Sequence, residues 1–154
     1  MSQASDNVPL RATVVGNGIA GICAARVLSK HYEEVVIVER DALPDHPTHR
    51  TGVPQSHHVH ALLLRGLDEL EALFPGFEAE LTARGAARMD IGSELAHYSE
   101  WGWAPRETLG ITPVAASRLL FEFVARDLLR RSCDNLRFVE QTRALGLVTD
   151  KRGR

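Results

Sequence analysis

Only two cysteines, Cys23 and Cys133, occur in the 154 residues, and they form neither a C-x-x-C pair nor part of a ligand cluster. That excludes a disulfide framework and a thiolate metal site. Reduced, structural thiols suit a cytoplasmic protein. No apolar run approaches the roughly 18 residues of a membrane span. Residues 1–10 are polar and contain a proline, and are expected to form a disordered N-terminus with no signal peptide. Neither sign of charge prevails: 18 Lys and Arg against 20 Asp and Glu leave a net charge of -2. Nothing in that balance favours nucleic acid or an acidic membrane surface as a partner. Repeats and low-complexity tracts are missing too. What remains is a chain 44% hydrophobic and 25% charged, ordinary for one soluble globular domain.

Against that plain background one segment stands out. Thr13-Val14-Val15 runs into Gly16-Asn17-Gly18-Ile19-Ala20-Gly21, and Val35-Val36-Ile37-Val38 ends at Glu39, eighteen residues past Gly21. A strand that ends in Gly-x-Gly-x-x-Gly and opens a helix brings the backbone close to a pyrophosphate, with the unpaired N–H groups and positive dipole end of the helix aimed at it. Gly16 permits the turn, Gly18 leaves room for the phosphate, and Gly21 lets helix pack on strand. The Glu39 carboxylate can accept hydrogen bonds from both ribose hydroxyls and would repel a 2′-phosphate, so FAD or NAD is favoured over NADP. Arg40 beside it could hold a 2′-phosphate, but the adjacent acid argues against that use.

The rest of the chain supplies an α/β pattern. Strands are expected at 12–15, 35–38, 136–139 and 144–149, and helices at 19–31, 58–74 and 77–84. Pro44, Pro47, Gly52 and Pro54 mark a loop over 41–56, and Pro75-Gly76 stops the helix before it. Residues 86–113 read as two or three short strands with turns at Gly92, Gly102 and Gly110. Ser117 caps a further helix whose Leu119, Leu120, Phe123, Val124 and Leu128 follow a 3.6-residue repeat. Thr149-Asp150-Lys151-Arg152-Gly153-Arg154 has the composition of a hairpin turn without its returning strand, so the chain is expected to be the N-terminal piece of a longer protein.

Several runs carry a family resemblance. Gly16 to Gly21, Glu39-Arg40-Asp41, Arg50-Thr51-Gly52-Val53-Pro54-Gln55 leading to His57-His58-Val59-His60-Ala61-Leu62-Leu63, Leu73-Phe74-Pro75-Gly76 and Ser117-Arg118-Leu119-Leu120-Phe121-Glu122 resemble the FAD-dependent monooxygenases. Within them the chain is most similar to the bacterial branch of polyether-pathway epoxidases and hydroxylases distantly like squalene epoxidase. The resemblance implies a Rossmann-like FAD/NAD(P)-binding domain over 11–154, incomplete at its C-terminal end. It implies FAD as cofactor, with NAD(P)H a candidate electron donor, and oxygen transfer to a small organic substrate through a flavin hydroperoxide. Gly16, Asn17, Gly18, Ile19, Ala20, Gly21, Glu39, Arg40, Arg50 and Arg118 would hold the cofactor. By the resemblance Arg50 would lie near the cofactor as it runs toward the flavin ring, and Arg118 would approach the pyrophosphate and ribityl chain. No side chain is expected to act as a nucleophile, and the chain alone is expected to bind FAD weakly or not at all, because half of the cofactor cradle is missing.

Other readings stay open. The glycine motif also serves NAD-dependent dehydrogenases, although the proline-rich loop after Glu39 replaces the prompt alternation of strands and helices those domains show. A non-catalytic FAD-binding module is the other alternative. His57, His58 and His60 have no cysteine or carboxylate at ligand spacing and are read as helix-start packing or the lining of a flavin or substrate pocket rather than as a metal site. Trp101 and Trp103 are read as core or substrate-pocket aromatics, and Glu69, Glu71 and Glu94 as a solvated face.

Overall fold

The computed structural model describes residues 10–149. Strand β1 (Arg11–Val15) passes through the glycine turn into helix α1 (Ile19–Leu28), which returns the chain to β2 (Glu34–Val38). The strands are parallel, in the register Ala12 to Val35 and Val14 to Ile37. A parallel pair needs such a crossover, since a tight turn can only join antiparallel neighbours. β1 turns Ala12 and Val14 inward and Thr13 and Val15 outward. β2 buries Val35, Val36 and Ile37 in succession, as befits the central strand of its sheet.

The third strand of that sheet comes from far along the chain. After β2 a loop leads to a single 3-10 turn (Pro54–His57), then β3 (Val59–Leu62), α2 (Leu64–Leu73) and α3 (Phe77–Ala83). Short strands β4 (Ala87–Arg88), β5 (Tyr98–Ser99) and β6 (Gly102–Trp103) precede β7 (Val114–Ser117), which runs straight into α4 (Arg118–Ser132). β8 (Leu136–Val139) then pairs with β2 in parallel, giving the order β1-β2-β8. A second sheet, antiparallel in the order β3-β7-β4, and the β5-β6 hairpin lie outside it. This is the α/β architecture expected, with a βαβ start and a β-rich insertion ahead of the third strand.

The core gathers where α1 and α4 meet the parallel sheet and the α2-α3 pair. Ile22, Ala25, Phe74, Phe77, Leu81 and Leu129 are wholly excluded from water. Truncating either phenylalanine to alanine would cost about 3–5 kcal/mol in lost transfer energy and residual cavity. Between α2 and α3 the chain turns at Gly76, whose φ of +87° suits glycine. Glu71 fixes this turn, accepting hydrogen bonds from the N–H groups of Gly76 (2.6 Å) and Glu78 (3.0 Å). It therefore caps a helix rather than standing in solvent.

Three expected elements differ. The helix expected over 58–74 starts only at Leu64, because residues 59–62 pair with β7, His60 opposite Ala116 and Leu62 opposite Val114. The leucine spacing is real, and Leu67 and Leu70 are buried, but the stretch before Leu63 is held by cross-strand bonds that local spacing does not report. The strand expected over 144–149 does not form. Leu145, Leu147 and Val148 are 91%, 96% and 99% exposed, and no strand lies against them among the described residues. α1 stops at Leu28 rather than at 31, where Asn135 donates to the carbonyls of Ser29 and Tyr32 and locks the turn into β2. Ser117 caps α4 as expected, accepting from the Leu120 N–H at 3.2 Å. The disordered N-terminus expected over 1–10 and the turn expected over 149–154 lie, but for Leu10 and Thr149, outside the described residues.

Asp90 organises the β-rich insertion, whose short strands β4, β5 and β6 match the two or three expected over 86–113. Its carboxylate accepts from the N–H groups of Gly92, Ser93, Leu109 and Gly110 at 2.7–3.2 Å, and its own N–H donates to Glu94. The Ser93 N–H leads the donors that hold this carboxyl at about 2, below its ordinary 3.8, against the opposing effect of burial. A depressed carboxyl stabilises the fold above its unfolded value and loses that contribution as pH falls through the folded value. Asp90→Asn is therefore expected to melt below wild type at neutral pH, with the difference shrinking as pH drops from about 4 toward 2. Thermal unfolding of both proteins across that range checks it; a constant difference would show that the charge is not what matters.

Candidate functional site

The turn between β1 and α1 rests on two tight steric conditions. Gly16 has a φ of +97°, a left-handed backbone that side chains disfavour, and its N–H donates to the Val38 carbonyl at 2.8 Å. A Cβ on Gly21 would stand 2.0 Å from the Gly16 carbonyl oxygen. Any larger residue at 21 pushes helix and turn apart. Gly18 differs: the nearest atom to a Cβ there is a carboxylate oxygen of Glu122, 3.9 Å away. The space above Gly18 belongs to a cleft. Gly18 is also the N-cap of α1, with no side-chain cap and no acidic residue in the first turn. The first N–H groups of the helix thus have no intrahelical acceptor and point toward the open end.

The cleft, about 370 Å³, is lined by Gly16, Gly18, Glu39, Arg50, Arg118 and Glu122 among others. Glu39, 6% exposed at the end of β2, accepts from the Asn17 N–H at 2.6 Å and the Asp41 N–H at 3.0 Å. Burial pushes its carboxyl up, but those two donors and the Arg50 guanidinium outweigh it and hold the group below its ordinary value. Arg50 reaches in from the loop after β2. Its Nη2 donates to Glu122 at 2.7 Å and to the Asn17 carbonyl at 3.1 Å. Its Nη1 lies 3.4 Å from Glu39 and 3.9 Å from Asp41, is buried, and has no hydrogen-bond acceptor among the described residues.

Helix α4 supplies the opposite wall. Arg118, Glu122 and Arg126 recur every four residues and form a polar stripe beside the apolar one that packs in the core. Arg118 donates from Nε to Glu122 at 2.8 Å. Arg126 donates to the Pro44 carbonyl at 2.7 Å; burial draws its guanidinium down to about 10. The loop is tied elsewhere by Gly52 N–H to Asp41 (2.8 Å) and Leu43 N–H to Glu140 (2.7 Å). Beyond β8 the chain folds back over the cleft, with Thr142 N–H on the Glu39 carbonyl at 2.9 Å, so Thr142, Arg143 and Ala144 complete the lining.

Of the residues singled out from the sequence, Gly16, Gly18, Glu39, Arg40, Arg50 and Arg118 meet at this cleft. Arg40 is exposed, its guanidinium lying over Gly52, where a Cβ would be 2.9 Å from Nε. Asn17 is fully buried and offers its backbone to Glu39 and Arg50, while both polar atoms of its side chain have no partner among the described residues. Ile19 packs against the core, and Ala20 is exposed on α1. Sequence reasoning missed Glu122 and Thr142 to Ala144. Glu122 carried a usable signal, an acid four residues after Arg118 on an expected helix; the other three carried none.

The histidines line a separate, shallower cleft of about 500 Å³. His57 stacks on His49 with ring centres 3.9 Å apart, and His49 contacts the Ser56 hydroxyl at 2.9 Å. Trp101 and Trp103 are 89% and 71% exposed on the β5-β6 hairpin, so neither is a core residue.

Known proteins share this architecture. No protein-family model matches the chain. It is 47% identical over 79 residues, 51% of its own length, to Protein Rv3254 of Mycobacterium tuberculosis, of which that stretch is 17%. The solved structure of 2-methyl-3-hydroxypyridine-5-carboxylic acid oxygenase in its tetrameric form superposes with a TM-score of 0.65 at 19% identity, over 96% of this chain and 37% of that one. The structure of PqsL, a probable FAD-dependent monooxygenase from Pseudomonas aeruginosa, gives 0.59 at 18% identity, over 94% and 36%. The chain therefore has the fold of part of these two solved structures and spans little more than a third of their length.

The ion cluster makes a direct prediction. Replacing Arg50 by methionine keeps the volume but leaves Glu39 and Glu122 buried without their shared cation. Breaking such a pair costs about 3–5 kcal/mol. Urea unfolding of Arg50→Met is expected to show a loss of that size, and a change within experimental error would mean that water already solvates the cluster.

Proposed function

We propose that this chain provides the dinucleotide-binding part of an FAD-dependent oxidoreductase, a monooxygenase that hydroxylates or epoxidises a small organic substrate. The observation that carries this reading is the cleft over Gly18: an uncapped helix N-terminus, the arginines Arg50 and Arg118 and an acid at the end of β2 line one space. Each is a feature that an ADP moiety would satisfy. The residues present fit that group.

In this reading the first-turn amides of Ile19, Ala20 and Gly21 receive the pyrophosphate, and Gly16 and Gly18 keep the approach clear of side chains. Asn17 fixes the loop by its backbone. Glu39 accepts the ribose hydroxyls through lone pairs left over from its two backbone donors, and Arg40 flanks the ribose edge. Arg50 and Arg118 supply fixed positive charge where the phosphates lie. FAD, when bound, supplies the redox chemistry and the activation of oxygen, with NAD(P)H as the electron source. The chain's own contribution is binding and orientation, and none of its side chains acts as a nucleophile. The names of the structural relatives, an oxygenase and a probable FAD-dependent monooxygenase, support the class of reaction. The branch of epoxidases and squalene epoxidase-like hydroxylases rests on the run from Gly52 to Leu63.

Titration of the protein with FAD, followed by flavin absorbance and fluorescence, tests the reading with Gly18→Val as the control. Saturable binding to wild type is expected, weakened at least about tenfold in the variant because a side chain at 18 enters the phosphate space. Equal response of the two folded proteins, or binding of NAD but not FAD, would overturn it.

A further inference from the structure

The cleft contains an anion of its own. Glu122 is 4% exposed, and each of its carboxylate oxygens meets a different arginine: Oε2 meets Arg50 at 2.7 Å and Oε1 meets Arg118 at 2.8 Å. The Oε1 atom is also the nearest atom to the space above Gly18. A negative charge thus already stands beside the helix N-terminus that the proposed function assigns to a phosphate. The two arginines are held unequally. Arg50 has a 5% exposed side chain, further bonded to the Asn17 carbonyl and close to Glu39 and Asp41. Arg118 is 25% exposed along its side chain, and Glu122 is its one ion-pair partner among the described residues. It also sits at the first position of α4, where the helix dipole disfavours a cation unless an anion is near.

From this we infer that Glu122 is an internal counter-anion: in the ligand-free chain it holds Arg118 over Gly18, and it releases Arg118 to the entering phosphate while keeping Arg50. Glu122 is a positioning residue that competes with the ligand. The inference rests on the dinucleotide reading and goes beyond it, because it assigns to an acid in the phosphate site a role opposed to phosphate binding. Two anions cannot share Arg118 at full strength. The ligand's affinity is therefore set by the difference between its bond to this arginine and the one it replaces, plus the repulsion left between phosphate and carboxylate.

The test measures binding of ADP and of adenosine by calorimetry at neutral pH and low salt, in wild type and Glu122→Gln, which keeps the shape and one acceptor oxygen but loses the charge. The variant is expected to bind ADP about tenfold more tightly, as for removal of one nearby like charge. Adenosine, which has no phosphate, is expected to bind both alike. ADP binding that is unchanged or weaker in the variant would overturn the inference while leaving the dinucleotide site standing. Failure of wild type and variant alike to bind ADP or FAD would overturn both. Should Glu122→Gln not fold, a crystal structure of wild type with ADP decides: Arg118 on a phosphate oxygen and off Glu122 is expected, and an intact Arg118–Glu122 bond would overturn the inference.

Discussion

The guanidinium of Arg50 is the tie on which the shape of the cleft depends. It joins the glycine turn, the end of β2 and the middle of α4, through Asn17, Glu39 and Glu122. The first two meet through the bond from the Gly16 N–H to the Val38 carbonyl, but no backbone ladder among the described residues ties either to α4. The loop that carries Arg50 contributes little apolar surface to the core, Val53 apart, and so cannot be anchored by burial alone. It is anchored instead by polar bonds at Asp41, Leu43, Pro44 and Arg50. A wall built this way keeps its position only while its charges are paired, because each unpaired buried charge costs several kcal/mol.

The opposite wall is set by sterics. Between Gly16 and Gly21 the backbones approach so closely that a single methyl group would overlap a carbonyl oxygen. The helix dipole is thereby placed at a fixed distance from the strand end, with no adjustable side chain involved. One side of the cleft is thus rigid and electropositive by backbone geometry. The other is electrostatically latched and carries the longer side chains. A dinucleotide lying between them would meet fixed amides first and adaptable arginines second.

How much of this was legible in the sequence follows from the range of the interactions. β1, α1 and β2 are specified locally by an alternating strand, three glycines and a short apolar run, and so were read correctly to within a few residues. α4 was equally clear because Ser117 caps it and its apolar repeat is strong. β3 was read as helix because Leu62 to Leu73 recur at helical spacing, whereas what makes residues 59–62 a strand is β7, more than fifty residues away. The exposed apolar residues 145, 147 and 148 gave the opposite error, a strand pattern with no strand beside it. In the site, the glycines and Glu39 were visible from spacing, and Arg50 and Arg118 from family resemblance. Glu122 went unassigned because only its spacing to Arg118 is local, whereas its other partner, Arg50, lies 72 residues away in sequence.

The presence of an acid at position 122 follows once the charges are counted by burial. Placing Arg50 in the interior without an anion would be more costly than placing it there with one, since an isolated buried charge is far worse than a paired one. Glu39 holds Arg50 only loosely: its oxygens accept from two backbone N–H groups and lie 3.4 Å from Arg50, whereas Glu122 accepts from Arg50 at 2.7 Å. A second carboxylate is needed to keep Arg50 in place before any ligand arrives. Position 122 is where α4 faces both Arg50 and Gly18, so the residue that pairs with Arg50 also borders the space that the proposed function gives to the phosphates. On the proposed function, stability of the fold and affinity for an anion therefore act against each other at this one side chain.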